Sequence, residues 1–148
     1  MRFTIDTNIL VYAVDLDAGD RHRAAIDLIA RTKGRDLVIT LQALSELFRT
    51  LTARKRVPPA RVAAIIQTWR DTIPVVVADA GCLTDAMDYV VSAGWSFWDA
   101  MMLATARKAG CRILISEDGQ DDRTIGGVTI VNPFRSDLSP LLREALGI

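Results

Sequence analysis

The sequence predicts an α/β fold in which a parallel central sheet of about five strands is flanked by helices on both faces. Five short apolar runs, rich in Val and Ile, have the composition of strands that are buried on both faces. Segments in which apolar residues recur at helical spacing separate these runs. Because no repeat or long linker interrupts the chain, we expect a single domain over residues 1–148.

The predicted strands contain almost no polar residues, which is typical of a parallel sheet covered by helices. They are Phe3–Ile5, Leu37–Ile39, Val75–Val77, Ile113–Ile115 and Val128–Val131.

The intervening segments are predicted as helices from their periodicity and from capping residues. An apolar stretch over 9–14 follows the first strand, and Asp20 can cap the next helix, which Gly34 ends. Further helices are expected over 41–55, 60–71, 82–92 and 97–109, with a short one starting at Ser139-Pro140.

The composition excludes several kinds of catalytic site. His22 is the only histidine, which removes most zinc sites and leaves no credible Ser-His-Asp or Cys-His nucleophilic system. Cys82 and Cys111 lack the spacing of a metal site, and we expect two small buried thiols. The formal net charge is zero, which argues against tight non-specific binding to duplex nucleic acid. Any chemistry therefore depends on carboxylates.

The hydropathy pattern predicts a cytoplasmic protein with an apolar surplus. Hydrophobic residues make up 50% of the chain, yet no apolar run approaches the roughly 18 residues of a membrane helix. A charge interrupts the N-terminus before the apolar region of a signal peptide can form. The surplus is expected in the core or on a face that meets another protein.

Two carboxylates follow predicted strands directly or closely. Asp6 comes after the first strand, and Asp118 comes three residues after Ile115. Ligand sites of parallel sheets form beyond the carboxyl ends of the strands. Purely structural roles are also open, a helix cap for Asp6 and a turn with Gly119 for Asp118.

Two further acidic residues lie on predicted helices. Asp99 shares a helix face with the apolar Met102 and Leu103, so it should lie near the interior and need a partner such as a metal ion. A capping box with Ser96 is the competing interpretation. Glu46 lies roughly opposite the apolar stripe of its helix, where a solvated residue paired with Arg49 is the competing interpretation.

The four acidic positions lie in segments that resemble the motifs of PIN domains. Asp6-Thr7-Asn8-Ile9-Leu10 resembles their opening motif, Leu44-Ser45-Glu46-Leu47 the second, and Phe97-Trp98-Asp99-Ala100-Met101-Met102-Leu103-Ala104 the third. Ile115-Ser116-Glu117-Asp118, followed by Val128–Phe134, is similar to the fourth acid and closing strand of VapC-type toxins. The resemblance covers nearly the whole chain, in order.

The resemblance implies a PIN-like three-layer fold and a site where Asp6, Glu46, Asp99 and Asp118 bind Mg²⁺ or Mn²⁺ and perform catalysis. It implies supporting polar roles for Thr7, Asn8 and Ser116. The fourth acid could instead be a neighbour of Asp118, namely Glu117, Asp121 or Asp122.

The implied activity is metal-dependent endoribonuclease cleavage of single-stranded or structured RNA, as the toxin of a type II toxin–antitoxin pair. The implied partners are RNA, a small antitoxin protein and a second copy of the chain in a homodimer. A catalytically silent PIN-like module that binds RNA or protein is the competing hypothesis. A dehalogenase-like phosphatase is disfavoured, because Asn8 stands where that family has its second acid. Candidate RNA contacts are the basic residues Arg49, Arg54, Lys55 and Arg56.

Overall fold

A computed structural model describes residues 1–118 and 120–148 of the chain. Gly119, the second residue of the predicted turn at Asp118, lies outside the described residues. None of the helices in the described part is long and apolar enough to cross a membrane.

The described residues form a six-stranded sheet in the order β3-β2-β1-β4-β6-β5. Its strands are β1 Phe3–Ile5, β2 Leu37–Thr40, β3 Val75–Val76, β4 Ile113–Ile115, β5 Thr124–Ile125 and β6 Val128–Val131. All neighbouring pairs are parallel except β5 and β6, which are antiparallel. The predicted α/β class and parallel central sheet are therefore confirmed.

The antiparallel edge strand β5 was not predicted from the sequence. It contains only two residues, too few for a recognisable alternation, and Gly126 and Gly127 join it to β6. Both glycines have positive φ, 57° and 82°, which a hairpin of this kind requires.

The helices are α1 Thr7–Val14, α2 Asp20–Arg31, α3 Leu41–Arg49, α4 Pro59–Thr72, α5 Ala80–Ala93, α6 Phe97–Lys108 and α7 Pro140–Leu146. A π-helical segment, Thr50–Arg54, continues α3, so the helix predicted over 41–55 changes its hydrogen-bonding pattern at Thr50. Asp20 is the first residue of α2 and not its cap, since Gly19 holds the capping position.

The core is built around the two central strands and the helices that cover them. Phe3 and Ile5 of β1, Leu47 of α3 and Leu103 of α6 are completely buried. Cys82 and Cys111 are buried free thiols, as predicted. By contrast Phe48 of α3 is 39% exposed.

The register of β1 and β4 brings two polar segments together at one sheet edge. Ile5 pairs with Ile115, and the amide of Asp6 donates to the Ile115 carbonyl at 2.9 Å. Because both strands end at the same level, Asp6 and Ser116 leave the sheet side by side.

Candidate active site

Asp6 links the end of β1 to the start of α1 and uses both of its carboxylate oxygens. Its Oδ1 caps the helix by accepting a hydrogen bond from the Thr7 amide at 2.6 Å. Its Oδ2 accepts a hydrogen bond from Ser116 Oγ at 2.6 Å. The capping role and the site role are therefore compatible, because they use different oxygens.

The surroundings of Asp6 oppose its negative charge. Burial, with a smaller contribution from the nearby charges of Asp99 and Glu46, raises the pKa of its carboxyl from 3.8 to about 6. The hydrogen bonds from Ser116 and Thr7 lower that pKa but do not offset the burial. A cation bound beside Asp6 would relieve both the desolvation and the repulsion.

Glu46 is held towards the start of α1 and is only partly exposed. Thr7 Oγ1 donates to its Oε2 at 2.8 Å, and Gln42 Nε2 donates to its Oε1 at 2.8 Å. Gln42 Nε2 also donates to the carbonyl of Trp98, at 2.9 Å, and so connects α3 to the first turn of α6. In the described part of the chain Glu46 forms no ion pair with Arg49, so the solvated pair is not the observed arrangement.

Asp99 lies in the first turn of α6 and faces the opening above the sheet. Its Oδ2 accepts a hydrogen bond from Ser96 Oγ at 2.6 Å, where a capping box would bond to the Ser96 amide. Its side chain is exposed although Met102 and Leu103 on the same face are buried, because the face opens towards solvent at the helix end. The expectation of an interior position was therefore wrong for Asp99.

Three of the four predicted acids line one cavity of about 170 Å³. Asp6, Asp99 and Asp118 contribute to its wall together with Ser116 and Arg123. The amide of Asp118 donates to Ser116 Oγ at 3.3 Å, so one hydroxyl contacts both acidic segments. Glu46 lines a neighbouring cavity of about 720 Å³. It is linked to Asp6 by Thr7, which hydrogen-bonds to both carboxylates, and its negative charge contributes to the raised pKa of Asp6.

Glu117, the neighbour of Asp118, is occupied elsewhere. Its carboxylate accepts a hydrogen bond from the Tyr12 hydroxyl at 2.7 Å and forms an ion pair with Arg21 at 2.5 Å. The bond to Glu117 is the main cause that raises the pKa of Tyr12 to about 12. The Arg21 guanidinium also lies over the ring of Phe134, 4.4 Å from its centroid. Glu117 thus belongs to a packed network at the side of the site.

Asp121 and Asp122, the next acidic residues along the chain, also lie apart from the cavity. Asp121 accepts hydrogen bonds from the Asn132 amide at 2.7 Å and from Arg135 at 2.8 Å. Asp122 is exposed, has a φ of 64°, and is not among the described residues that line the cavity.

The predicted supporting and basic residues differ in their contacts. Thr7 and Ser116 bond directly to Glu46 and Asp6, whereas both polar side-chain atoms of Asn8 are buried without a partner in the described part of the chain. Among the basic candidates, Arg49 and Arg54 line the cavity beside Glu46, Lys55 pairs with Asp15 at 3.0 Å, and Arg56 is exposed.

Three residues of the site were not predicted from the sequence. Gln42 lies four residues before Glu46, a spacing that would have indicated the contact. Arg123 carries no local signal, because only the β5–β6 hairpin brings it to the cavity. Trp95 packs against the core and also lines the cavity.

The donor atoms of the site are of the chemical type that a hard divalent cation binds. They are carboxylate and hydroxyl oxygens, which Mg²⁺ and Mn²⁺ prefer. Within residues 1–118 and 120–148, however, no three acidic, thiol or imidazole groups lie close enough together to hold an ion as they stand. Asp99 and Asp118 are exposed side chains that line the same cavity as Asp6.

Comparison with known proteins supports the resemblance to PIN domains. A family model described as PIN domain matches residues 3–124. The chain is similar to VapC20 of Mycobacterium tuberculosis, described as a sarcin-ricin loop cleaving toxin, at 26% identity and a TM-score of 0.65, covering 79% of this chain and 90% of that one. It shares the fold of a toxin–antitoxin complex from Klebsiella pneumoniae, at 23% identity, a TM-score of 0.63 and coverage of 88% and 97%.

A third similar structure is VapBC2 of Rickettsia felis bound to a DNA fragment from its promoter, at 16% identity, a TM-score of 0.63 and coverage of 88% and 97%. No curated protein sequence matches the chain. The resemblance predicted from the four acidic motifs is confirmed.

Proposed function

The chain belongs to the PIN domain family, and on this premise we propose that it is a Mg²⁺- or Mn²⁺-dependent endoribonuclease cleaving single-stranded or structured RNA. One observation carries the proposal. Burial and the charges of Asp99 and Glu46 together raise the pKa of Asp6 to about 6, within a cavity that Asp99 and Asp118 also line. Carboxylates in such surroundings are suited to binding a cation and poorly suited to a purely structural role.

We assign Asp6 and Asp99 as the principal metal ligands, with Glu46 and Asp118 completing the site. A divalent ion in such a site acidifies a water molecule and stabilises charge on the phosphoryl oxygens. Asp118 is preferred over Glu117 and its acidic neighbours because it lines the cavity while Glu117 is paired with Arg21.

The remaining polar residues hold these acids in place. Ser116 donates to Asp6 Oδ2 and accepts from the Asp118 amide, which keeps the first and fourth acidic segments in contact. Thr7 does the same for Asp6 and Glu46, since its amide bonds to one and its hydroxyl to the other. Asn8, whose side chain lacks a protein partner in the described residues, is expected to support the site through water.

Within the nuclease assignment, the similarity to VapC20 and to the toxin–antitoxin complex from Klebsiella pneumoniae favours the toxin of a type II toxin–antitoxin pair, neutralised by a small antitoxin. We place the protein in the cytoplasm, as one domain over residues 1–148.

We further propose a homodimer, because α5 exposes an unpartnered apolar face. Val91 is 87% exposed, Met87 48% and Leu83 42%. Light scattering at tens of micromolar should give twice the monomer mass, and Val91→Glu should reduce it to the monomer value. A monomeric parent would contradict this assembly.

A metal-titrated cleavage assay tests the function. A labelled single-stranded RNA should be cut by the purified chain in Mg²⁺ or Mn²⁺ and left intact in EDTA. Asp99→Asn should abolish cleavage, whereas Asp17→Asn, which changes an exposed acid beyond the far end of α1, should not. Binding of RNA without cleavage, at every metal concentration, would instead support the catalytically silent module.

A further inference from the structure

Arg123 is a cation in the wall of the acidic cavity. It lies immediately before β5, and its guanidinium is 5.4 Å from the centroid of the Trp95 ring. Its Nη1 donates to Gln120 Oε1 at 2.5 Å. It lines the same cavity as Asp6 and Asp99.

Arg123 is not neutralised by the acids around it. Among the described residues it has no carboxylate oxygen within 4.0 Å, whereas Arg135 and Arg107 each form ion pairs. A guanidinium has five N–H donors, and one of them is used by Gln120. The cation–π contact with Trp95 holds the guanidinium at the cavity wall without consuming its donors.

The backbone that carries Arg123 is held at several points. Its amide donates to the Gln120 carbonyl at 3.0 Å, and its carbonyl accepts from the Ile130 amide at 3.0 Å. At the hairpin turn, Gly126 lies against Tyr89 and Arg107 so closely that a Cβ would clash with both side chains. The position of Arg123 at the cavity is therefore set by the packed hairpin.

We propose that Arg123, positioned by Trp95, binds a backbone phosphate of the RNA at the cavity that holds Asp6 and Asp99. This inference rests on the proposed function. A polyanion that enters a cavity lined by carboxylates needs a cation that is not already paired, and the chain as a whole offers no net positive charge. Guanidinium suits this role, because its planar fork matches two phosphate oxygens.

Binding and its salt dependence test the proposal. The probe is a fluorescein-labelled oligouridylate of about ten nucleotides, and its binding is followed by fluorescence anisotropy in Mg²⁺. The protein is the Asp99→Asn variant, which is expected not to cleave the probe during the titration. Adding Arg123→Ala should weaken binding about tenfold or more and reduce the slope of log K against log salt by about 0.7, the contribution of one single-strand phosphate. The control is Arg112→Ala, which removes an exposed arginine at the amino end of β4 and should change neither quantity.

The role of Trp95 is tested by coupling. Trp95→Leu should weaken binding several-fold in the presence of Arg123 and have no effect once Arg123 is alanine, because it acts only through the guanidinium. Arg123→Lys should keep the salt slope while binding more weakly, since it retains charge but loses the planar fork. The unfolding temperature of each variant is measured as a control, and a value close to that of the parent shows that weaker RNA binding is not caused by loss of the fold.

The outcomes separate this inference from the proposed function. If Arg123→Ala matches Arg112→Ala in affinity and salt slope while the parent cleaves RNA, the Arg123 role is wrong and the nuclease assignment remains. If binding depends on Arg123 but the parent never cleaves, the nuclease assignment fails and the phosphate contact remains. Absence of oligouridylate binding by the Asp99→Asn chain would overturn the Arg123 role.

Discussion

Replacement of Asp6 by asparagine should stabilise the metal-free protein at neutral pH while abolishing activity. The carboxylate is disfavoured in the folded chain, which raises its pKa from 3.8 to about 6. At 1.36 kcal/mol per pKa unit, this rise corresponds to a penalty of about 3 kcal/mol for the ionised form. Asparagine has nearly the same shape and can still cap α1, so it removes the charge and keeps the packing.

The sign of the effect depends on pH. Below pH 3.8 Asp6 is protonated in both the folded and unfolded chain, so the parent carries no penalty. Between pH 3.8 and about 6, Asp6 is ionised in the unfolded chain but still largely protonated in the folded chain, so the free energy of unfolding of the parent falls as pH rises. Above about pH 6 Asp6 is ionised in both states and the decrease stops. In EDTA the advantage of Asp6→Asn over the parent should therefore be small at pH 4 and reach at most about 3 kcal/mol, several degrees in Tm, at pH 7.5.

Metal should reverse the order. An ion that binds only the folded chain stabilises it by about 2.7 kcal/mol at a hundredfold excess over Kd. The parent should thus gain several degrees in millimolar Mg²⁺ or Mn²⁺, and Asp6→Asn should gain much less.

Thermal unfolding at pH 4 and 7.5, in EDTA and in Mg²⁺, measures all of these differences. Asp17→Asn is the matched control, because it removes an exposed charge that forms no ion pair among the described residues, and its Tm should equal that of the parent. Asp6→Ala should unfold below Asp6→Asn, since it also removes a cap that contributes about 1 kcal/mol. If Asp6→Asn unfolds below the parent at pH 7.5 in EDTA, and metal leaves the parent unchanged, Asp6 is only a helix cap and the reasoning is refuted.

The other acids lead to further predictions. Asp99→Asn and Glu46→Gln should each reduce single-turnover RNA cleavage more than ~100-fold with unchanged circular dichroism; a folded Asp99→Asn chain that cleaves like the parent would contradict the site. Asp118→Asn should reduce cleavage in the same assay, whereas Glu117→Gln should leave it within a few-fold of the parent, and the reverse result would exchange their roles. Glu117→Gln should also lower the pKa of Tyr12 from about 12 towards its usual 10, measured by tyrosinate absorbance, because its main hydrogen-bond acceptor loses its charge.

The order and type of the main elements are largely determined by local sequence. Strand β1 and helices such as α6 are encoded by composition and by spacings of up to four residues, which act within one element. For the same reason the position of Asp6 between a strand and a helix was predictable, since both elements adjoin it directly. The short hairpin strand β5 was not, because two residues carry no period and depend on β6 for their pairing.

The arrangement of the site was decided by tertiary packing. The local sequence left two positions open for Glu46, in the site or on a solvated face, and the contact between α1 and α3 gives it a hydroxyl donor from Thr7, 39 residues away. Asp118 and Glu117 are neighbours in the sequence, and only the ion pair between Arg21 and Glu117 in the folded chain shows that Glu117 is directed away from the cavity. Arg123 reaches the cavity through hairpin packing that no local pattern encodes.

The physical reason is the range of the interactions involved. Periodicity and capping act between residues a few positions apart. The strands, the helices and the acidic residue after β1 can therefore be predicted from local sequence alone. Hydrogen bonds, burial and charge coupling between distant segments depend on which surfaces meet once the sheet is assembled. The sequence by itself therefore determined the elements and the four acidic motifs, and the tertiary structure alone decided which oxygens and which cation face the same cavity.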